Sequence, residues 1–229
     1  MDLIDTLRTT GAVRDFLPDP VGDDVVYRLL DTARFAPNGG NRQAWQVVVV
    51  RDPQRKRLLR DLYLPGWYEY LAMGASGLVP WAPVTDEDAE RRAIAGAPAM
   101  VAAPGAGGFA EHLDEVPLVL LVLADLRKLA AVDRGFDHYT LVGGASVYPF
   151  VWSILLAARH EGLAGVMTTM VVRRENEVRA AFAVPDHVSV AALVALGRPA
   201  RTVSRLARRD VEAFTTVDSF DGVPFSAPA

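Results

Sequence analysis

Apolar positions along this chain fall into two patterns. Val26, Leu29, Leu30 and Ala33 recur at helical spacing, and Asp23 or Asp24 can cap the helix they belong to. Pro37 and the glycine pair Gly39 and Gly40 stop that helix. A short helix is predicted over 2–8. Another starts at Pro53, a residue tolerated in a first turn, and runs through Arg60 and beyond. A helix over 147–159 carries Ser146 as its predicted cap and Pro149 in its first turn, and a further one is predicted over 174–183. The second pattern is the continuous apolar run. Residues 46–50, 116–124 and 188–196 are rich in Val and Leu and predict three strands.

Between these elements the pattern weakens. Prolines at 18 and 20 keep 14–20 extended, and 140–144 reads as a loop. Residues 63–110, rich in Gly, Pro, Ala and Trp, predict an irregular insertion or lid, with Trp67, Tyr68, Tyr70 and Trp81 as possible walls of a substrate cavity or as ordinary packing. The helix over 147–159 is apolar around nearly its whole circumference, so it belongs in a core or in a subunit interface. Helices and strands mix without a regular βαβ rhythm, which predicts an α+β fold, one domain over residues 1–229.

Composition narrows the function classes. The 229 residues are 51% apolar, enough for one sizeable core. The net charge of −4 gives no electrostatic case for a nucleic-acid partner. The longest apolar run is too short to span a bilayer, and the acidic first ten residues do not read as a signal peptide. Cysteine is absent, which excludes disulfides, thiolate metal sites and a cysteine nucleophile, and fits a reducing compartment. The expectation is a cytoplasmic protein with no membrane partner.

Several familiar sites are dismissed. Gly-Ala-Gly-Gly at 105–108 lacks the third glycine of a dinucleotide fingerprint and reads as a turn. The histidines at 112, 138, 160 and 187 have no metal-site spacing, so no metal is expected. Ser76 and Ser146 lack the frame of a nucleophile elbow.

What remains is "ARFAPNGGNRQAW" at 33–45. Amides both donate and accept hydrogen bonds, as the edge of a flavin ring requires. Asn41 and Gln43 are two apart, so an extended backbone would put their side chains on one side, with Arg42 elsewhere. Gly39 and Gly40 would let the backbone approach a flat ligand. A plain helix–loop–strand connection accounts for the same residues.

The order of motifs resembles the nitroreductase family of flavin enzymes. Arg14-Asp-Phe, then Pro20-Val21, then a helix ending in Ala36-Pro37, then Asn41-Arg-Gln43-Ala-Trp45 is similar to that family's R-S-x-R-x-F, proline-valine, A-P-S and N-x-Q-P-W. Ile154 to Ala164 and Leu193 to Pro199 resemble its "LLLAA…GLG" helix and "ALGxP" strand end. The resemblance implies a nitroreductase-like fold: a central mixed or antiparallel sheet flanked by helices, with a C-terminal arm exchanged in a homodimer. It implies FMN at the subunit interface, reduced by NADH or NADPH, with transfer to a nitroaromatic, quinone or related flat acceptor in a ping-pong cycle. Arg14 would pair with the FMN phosphate, joined by Arg208 and Arg209, with Arg205 a weaker candidate. Asn41 and Gln43 would meet the ring, and Thr168, Thr169 and Met170 would lie near its reactive edge. No catalytic side chain is expected, because the flavin carries the electrons.

Some positions depart from the family pattern. The first arginine and the serine of R-S-x-R fall on Thr10 or Gly11 and on Ala12, with Arg8 or Thr9 as nearby stand-ins. The proline after the glutamine is Ala44, and Trp152-Ser153 replaces the usual Gln-Asn. The altered phosphate motif leaves two other readings open: a flavin-sequestering protein without turnover, and a family member with specialised chemistry such as flavin fragmentation, dehalogenation or biosynthetic oxidation.

Overall fold

A computed structural model describes residues 2–103, 105–138, 140–201 and 206–227. Four strands form one sheet in the order β1-β2-β4-β3: β1 (Trp45–Val50), β2 (Leu118–Asp125), β3 (Ala164–Thr168) and β4 (Val188–Gly197). All three pairings are antiparallel. The three apolar runs of the sequence become β1, β2 and β4. β3 carries no strand pattern of its own: AGVMT is five residues long, contains a glycine and does not alternate.

β2 is buried at every position because the sheet is covered on both faces. Side chains alternate across a strand. Leu118, Leu120 and Val122 therefore enter one core with Leu29 of α2 (Asp23–Ala33) and Val151 and Ile154 of α6 (Tyr148–His160). Val119, Leu121 and Leu123 enter a second core with Leu59 and Tyr63 of α3 (Pro53–Ala75), Leu113 of a 3₁₀ segment (Gly108–Glu115) and Val178 of α7 (Glu175–Ala181). The apolar circumference of α6 is resolved in the same way. Most of it is core, while Tyr148 and Trp152 are more than a third exposed.

Two predicted caps are absent. The N-cap of α2 is Gly22, with no side-chain bond; Asp23 instead pairs with Arg51 at 2.6 Å and Asp24 with Arg28 at 2.9 Å. Both carboxylates still lie in the first turn, where the helix dipole favours them. The N-cap of α6 is Val147, and the Ser146 hydroxyl is engaged elsewhere.

Residues 63–110 are more regular than the sequence predicts. α3 continues to Ala75 through Pro65 and Gly66, and α4 (Glu87–Ile94) and α5 (Ala97–Val101) follow. The glycine in mid-helix has a packing reason. A Cβ on Gly66 would lie 2.9 Å from Met170 Sδ and 3.3 Å from Arg173 Cγ. Its absence lets α3 lie directly on the 3₁₀ turn Met170–Arg174 that follows β3.

Both ends of the chain are tied to this frame. α1 (Leu3–Thr9) is capped by Asp2, whose carboxylate accepts from Ile4 and Asp5 N–H. Beyond it, Val13 N–H donates to Gly165 O and Leu17 N–H to Arg198 O, so residues 12–17 pass the ends of β3 and β4. Leu206 N–H donates to Arg8 O, and an exposed arm follows to residue 227. Among the described residues no helix is long and apolar enough to cross a membrane.

Candidate functional site

The loop before β1 is built, not slack. Asn38 uses both ends of its amide: Oδ1 accepts from Gln43 N–H at 2.8 Å and Nδ2 donates to Ala36 O at 3.3 Å. Gly39 N–H donates to the Ser146 hydroxyl at 3.0 Å, which anchors the loop to the start of α6. Arg42 folds back onto Gly39 O at 3.1 Å. Trp45 then stacks flat on Phe150, with centroids 4.6 Å apart and planes 2° apart.

Within this frame Gly40, Asn41 and Gln43 have φ of 60°, 50° and 49°. The expected extended backbone is absent; left-handed residues replace it. The side chains nevertheless share a side, because Gln43 Nε2 donates to Asn41 Oδ1 at 3.2 Å. Both residues are exposed. Among the described residues the pair therefore presents the Asn41 N–H donors and the Gln43 carbonyl acceptor without other partners, the set that a ring edge with alternating donors and acceptors needs.

A second group of predicted residues lies where β3 ends. The Thr168 hydroxyl is 3.0 Å from the Tyr63 hydroxyl and accepts from Met170 N–H at 3.4 Å. Burial raises the Tyr63 pKa, opposed by the Thr168 hydrogen bond and the charge of Arg14. Thr169 and Met170 line a cavity of about 730 Å³ with Tyr70, Trp81, Tyr148 and Arg173. Tyr70 and Trp81 thus do form walls, as the sequence permits. Trp67 stands behind Tyr70, stacked on it at 5.1 Å, and Tyr68 turns away to donate to Glu111 at 2.7 Å.

The arginines divide. Arg14 is exposed, has no hydrogen bond or ion pair among the described residues, and lines a cleft of about 510 Å³ beside Phe16, Phe109 and His112. Arg208 lines a different cavity, about 630 Å³, with Arg8, Thr10, Trp152 and Leu206. Its Nη1 donates to the neighbouring Ala207 O at 2.7 Å. Arg209 is exposed and shares neither cavity. Arg205 lies outside the described residues.

The family's first arginine falls on Thr10 or Gly11, and Leu206 packs against the second of these. A Cβ on Gly11 would come 2.8 Å from Leu206 Cδ2. The nearby hydroxyls are committed: Thr10 donates to Thr6 O and Thr9 donates to Asp5 O, each at 2.7 Å. Of the possible stand-ins, Arg8 is the one that reaches the cavity of Arg208 with its guanidinium free among the described residues.

The amide loop and the Thr168–Met170 turn begin from the two edge strands, β1 and β3. With two strands between them these edges are about 14 Å apart. The start of α6 links them: Ser146 holds Gly39, and Tyr148 lines the cavity of Thr169 and Met170. Sequence reasoning missed Tyr63 and Arg173, which reach this region from long-range packing that no local motif records.

The profile of the Nitroreductase family matches residues 7–198. The chain belongs to the nitroreductase family. Among other family-scale likenesses, it is 30% identical over 196 residues to an NADH dehydrogenase from Thermus thermophilus, covering 82% of each chain. It is 24% identical over 213 residues to iodotyrosine deiodinase 1 from Rattus norvegicus, covering 92% of this chain and 67% of the relative. Its fold is similar to that of a BluB-like flavoprotein from Clostridium difficile 630, with a TM-score of 0.67, 19% identity, and coverage of 96% and 100%. Membership places this nitroreductase-family chain among oxidoreductases.

Proposed function

We propose that this protein is an FMN-dependent NAD(P)H oxidoreductase that works as a homodimer and reduces a flat acceptor, a nitroaromatic or quinone, by a ping-pong cycle. The observation that carries the reading is the pair Asn41 and Gln43, held in left-handed conformations with their amides joined and exposed. A mere corner needs no such arrangement, since glycine or asparagine would turn it without placing a glutamine at positive φ.

In this reading Asn41 and Gln43 hold the ring edge, and Thr168, Thr169 and Met170 border the reactive side. Arg14, Arg208 and Arg209 neutralise the phosphate, with Arg8 supplying the charge that Thr10 and Gly11 lack. FMN, when bound, supplies the two-electron chemistry; the protein binds, orients and shields it. The names of the Thermus relative and of the clostridial flavoprotein support the donor and the cofactor.

Dimerisation is supported by the arm after Leu206, which exposes Phe214, Phe220 and Phe225. Apolar rings so displayed are the kind of surface that a second copy covers. Neither Asn41 nor Gln43 lines the cavities of Arg14 and Arg208, which also fits a site completed by two chains. The 63–110 region serves as the lid in this scheme, and the cytoplasm is the compartment a cysteine-free redox protein suits.

Purified protein should be yellow and should bleach anaerobically with NADH or NADPH. Leu206 filling the space at Gly11 favours one second reading, a flavin-sequestering protein; that reading predicts yellow protein that no nicotinamide bleaches. Colourless protein that takes up no FMN would overturn both.

A further inference from the structure

We infer that the cavity beside Thr169 and Met170 selects planar aromatic anions, with Arg173 as the residue that receives the substrate's carboxylate. The inference rests on the oxidoreductase reading above for the statement that its ligand is the acceptor.

The aromatic part follows from the walls. Tyr70 lies at 6.3 Å from Trp81, tilted by 46°, and is backed by Trp67 in a near-parallel stack at 5.1 Å. Tyr148 and Met170 complete an apolar lining suited to a flat ring. Trp81 itself has φ of 51°. A left-handed conformation is strained for a bulky residue, and strain of this kind gathers at ligand-binding positions. Something must hold the indole there, and its contacts with Arg173 and Tyr70 are the observed restraints.

The anionic part follows from Arg173. Its guanidinium carbon stands 4.7 Å from the Trp81 ring centroid, so the cation lies over the indole face. Its acidic partner, Glu69, is engaged through one contact of 3.4 Å, and the side chain stays half exposed. A guanidinium stacked by its face keeps edge N–H groups for a bidentate carboxylate. Arg173 is the charged residue among those lining the cavity, and no carboxylate lines it among the described residues. The stem of Arg173 packs against α3, where a Cβ on Gly66 would lie 3.3 Å from its Cγ and 3.5 Å from its Cβ, so the cation is placed rather than trailing.

The test uses the purified protein with whatever flavin it retains, and two probes of like shape: 4-nitrobenzoate and neutral 4-nitrobenzamide. Binding is read by quenching of tryptophan fluorescence and by calorimetry, independent of turnover. The wild type should bind the anion about tenfold or more tightly than the amide, as a charge-assisted pair implies. Arg173→Met should erase that preference and leave amide binding within about twofold; Arg173→Lys should keep part of the preference, since a point charge cannot form the fork. Equal binding of the two probes by the wild type, or an equal loss of both in Arg173→Met, overturns the inference. So does a case in which Arg173→Met slows flavin reduction by NADPH while nitrobenzoate binding is unchanged, because the cation then serves the donor's phosphates. Anion-selective, Arg173-dependent binding by a colourless protein upholds the cavity assignment and overturns the flavin reading instead.

Discussion

Gln43 donates its side-chain amide to the side-chain carbonyl of Asn41 across 3.2 Å, from a backbone held at φ of 49°. Two residues that an extended strand would have aligned are aligned by a turn. Their exposure means that neither amide is needed to satisfy the core.

Gln43→Ala keeps the left-handed backbone and removes the amide. FMN retention should fall about tenfold, the value of one lost directional hydrogen bond with its neighbour left unpaired. The melting temperature should change little. Gln43→Gly separates the two effects further: retention falls as in the alanine variant, while stability rises or holds because glycine accepts positive φ without strain. Equal FMN retention by wild type and both variants would remove the amide pair from the site.

Tyr63 and Thr168 share a hydrogen bond of 3.0 Å that joins α3 to the end of β3. Tyr63 is 2% exposed, so its hydroxyl has few other partners. Tyr63→Phe should cost about 1–2 kcal/mol in urea unfolding, and Thr168→Val a similar amount. The double variant should lose less than the sum of the two, which a double-mutant cycle reads directly.

Acid sensitivity should localise at Asp125. Charge-assisted bonds from Arg127, at 3.0 and 2.8 Å, hold its carboxyl at about 2 against the opposing effect of burial. Folding therefore favours the ionised form. The stabilisation is complete above the ordinary value of 3.8 and is lost as pH falls through it towards 2. Asp125→Asn should melt below the wild type at pH 6, and the gap should narrow steadily between pH 4 and pH 2. A gap independent of pH would assign the cost to packing alone.

Legibility in the sequence followed the range of the forces involved. β2 could be read because burial on both faces makes it uniformly apolar, and α2 because one face is buried at helical spacing. β3 could not, since its strand identity comes from pairing with β4 rather than from AGVMT itself. The sequence predicts the start of α3 but irregular structure from residue 63, while the helix runs on to Ala75 and the reason for Gly66 is a contact with Met170, over a hundred residues away. In the site, Asn41 and Gln43 carried a local signal, two amides beside twin glycines. Arg8 beside Arg208, and Arg173 over Trp81, are pairings of distant segments that become visible once the chain is folded.

The arm offers the sharpest test of assembly. Phe225 N–H donates to Thr215 O and Val217 N–H to Val223 O, so residues 215–225 close on themselves as a small hairpin-like unit. Phe220 is fully exposed on it, and Phe214 and Phe225 are more than half exposed. A self-contained unit that shows three phenylalanines gains little from its own chain and much from a second copy, at about 25 cal/mol for each square ångström of apolar surface covered. Replacing Phe214, Phe220 and Phe225 by serine leaves Arg208 and Arg209 in place. Light scattering should then show a dimer for the wild type and a shift towards monomer for the triple variant, with FMN lost in parallel if two chains complete the site. A variant that stays dimeric and keeps its FMN would place the interface elsewhere, on the α6 face that bears Trp152.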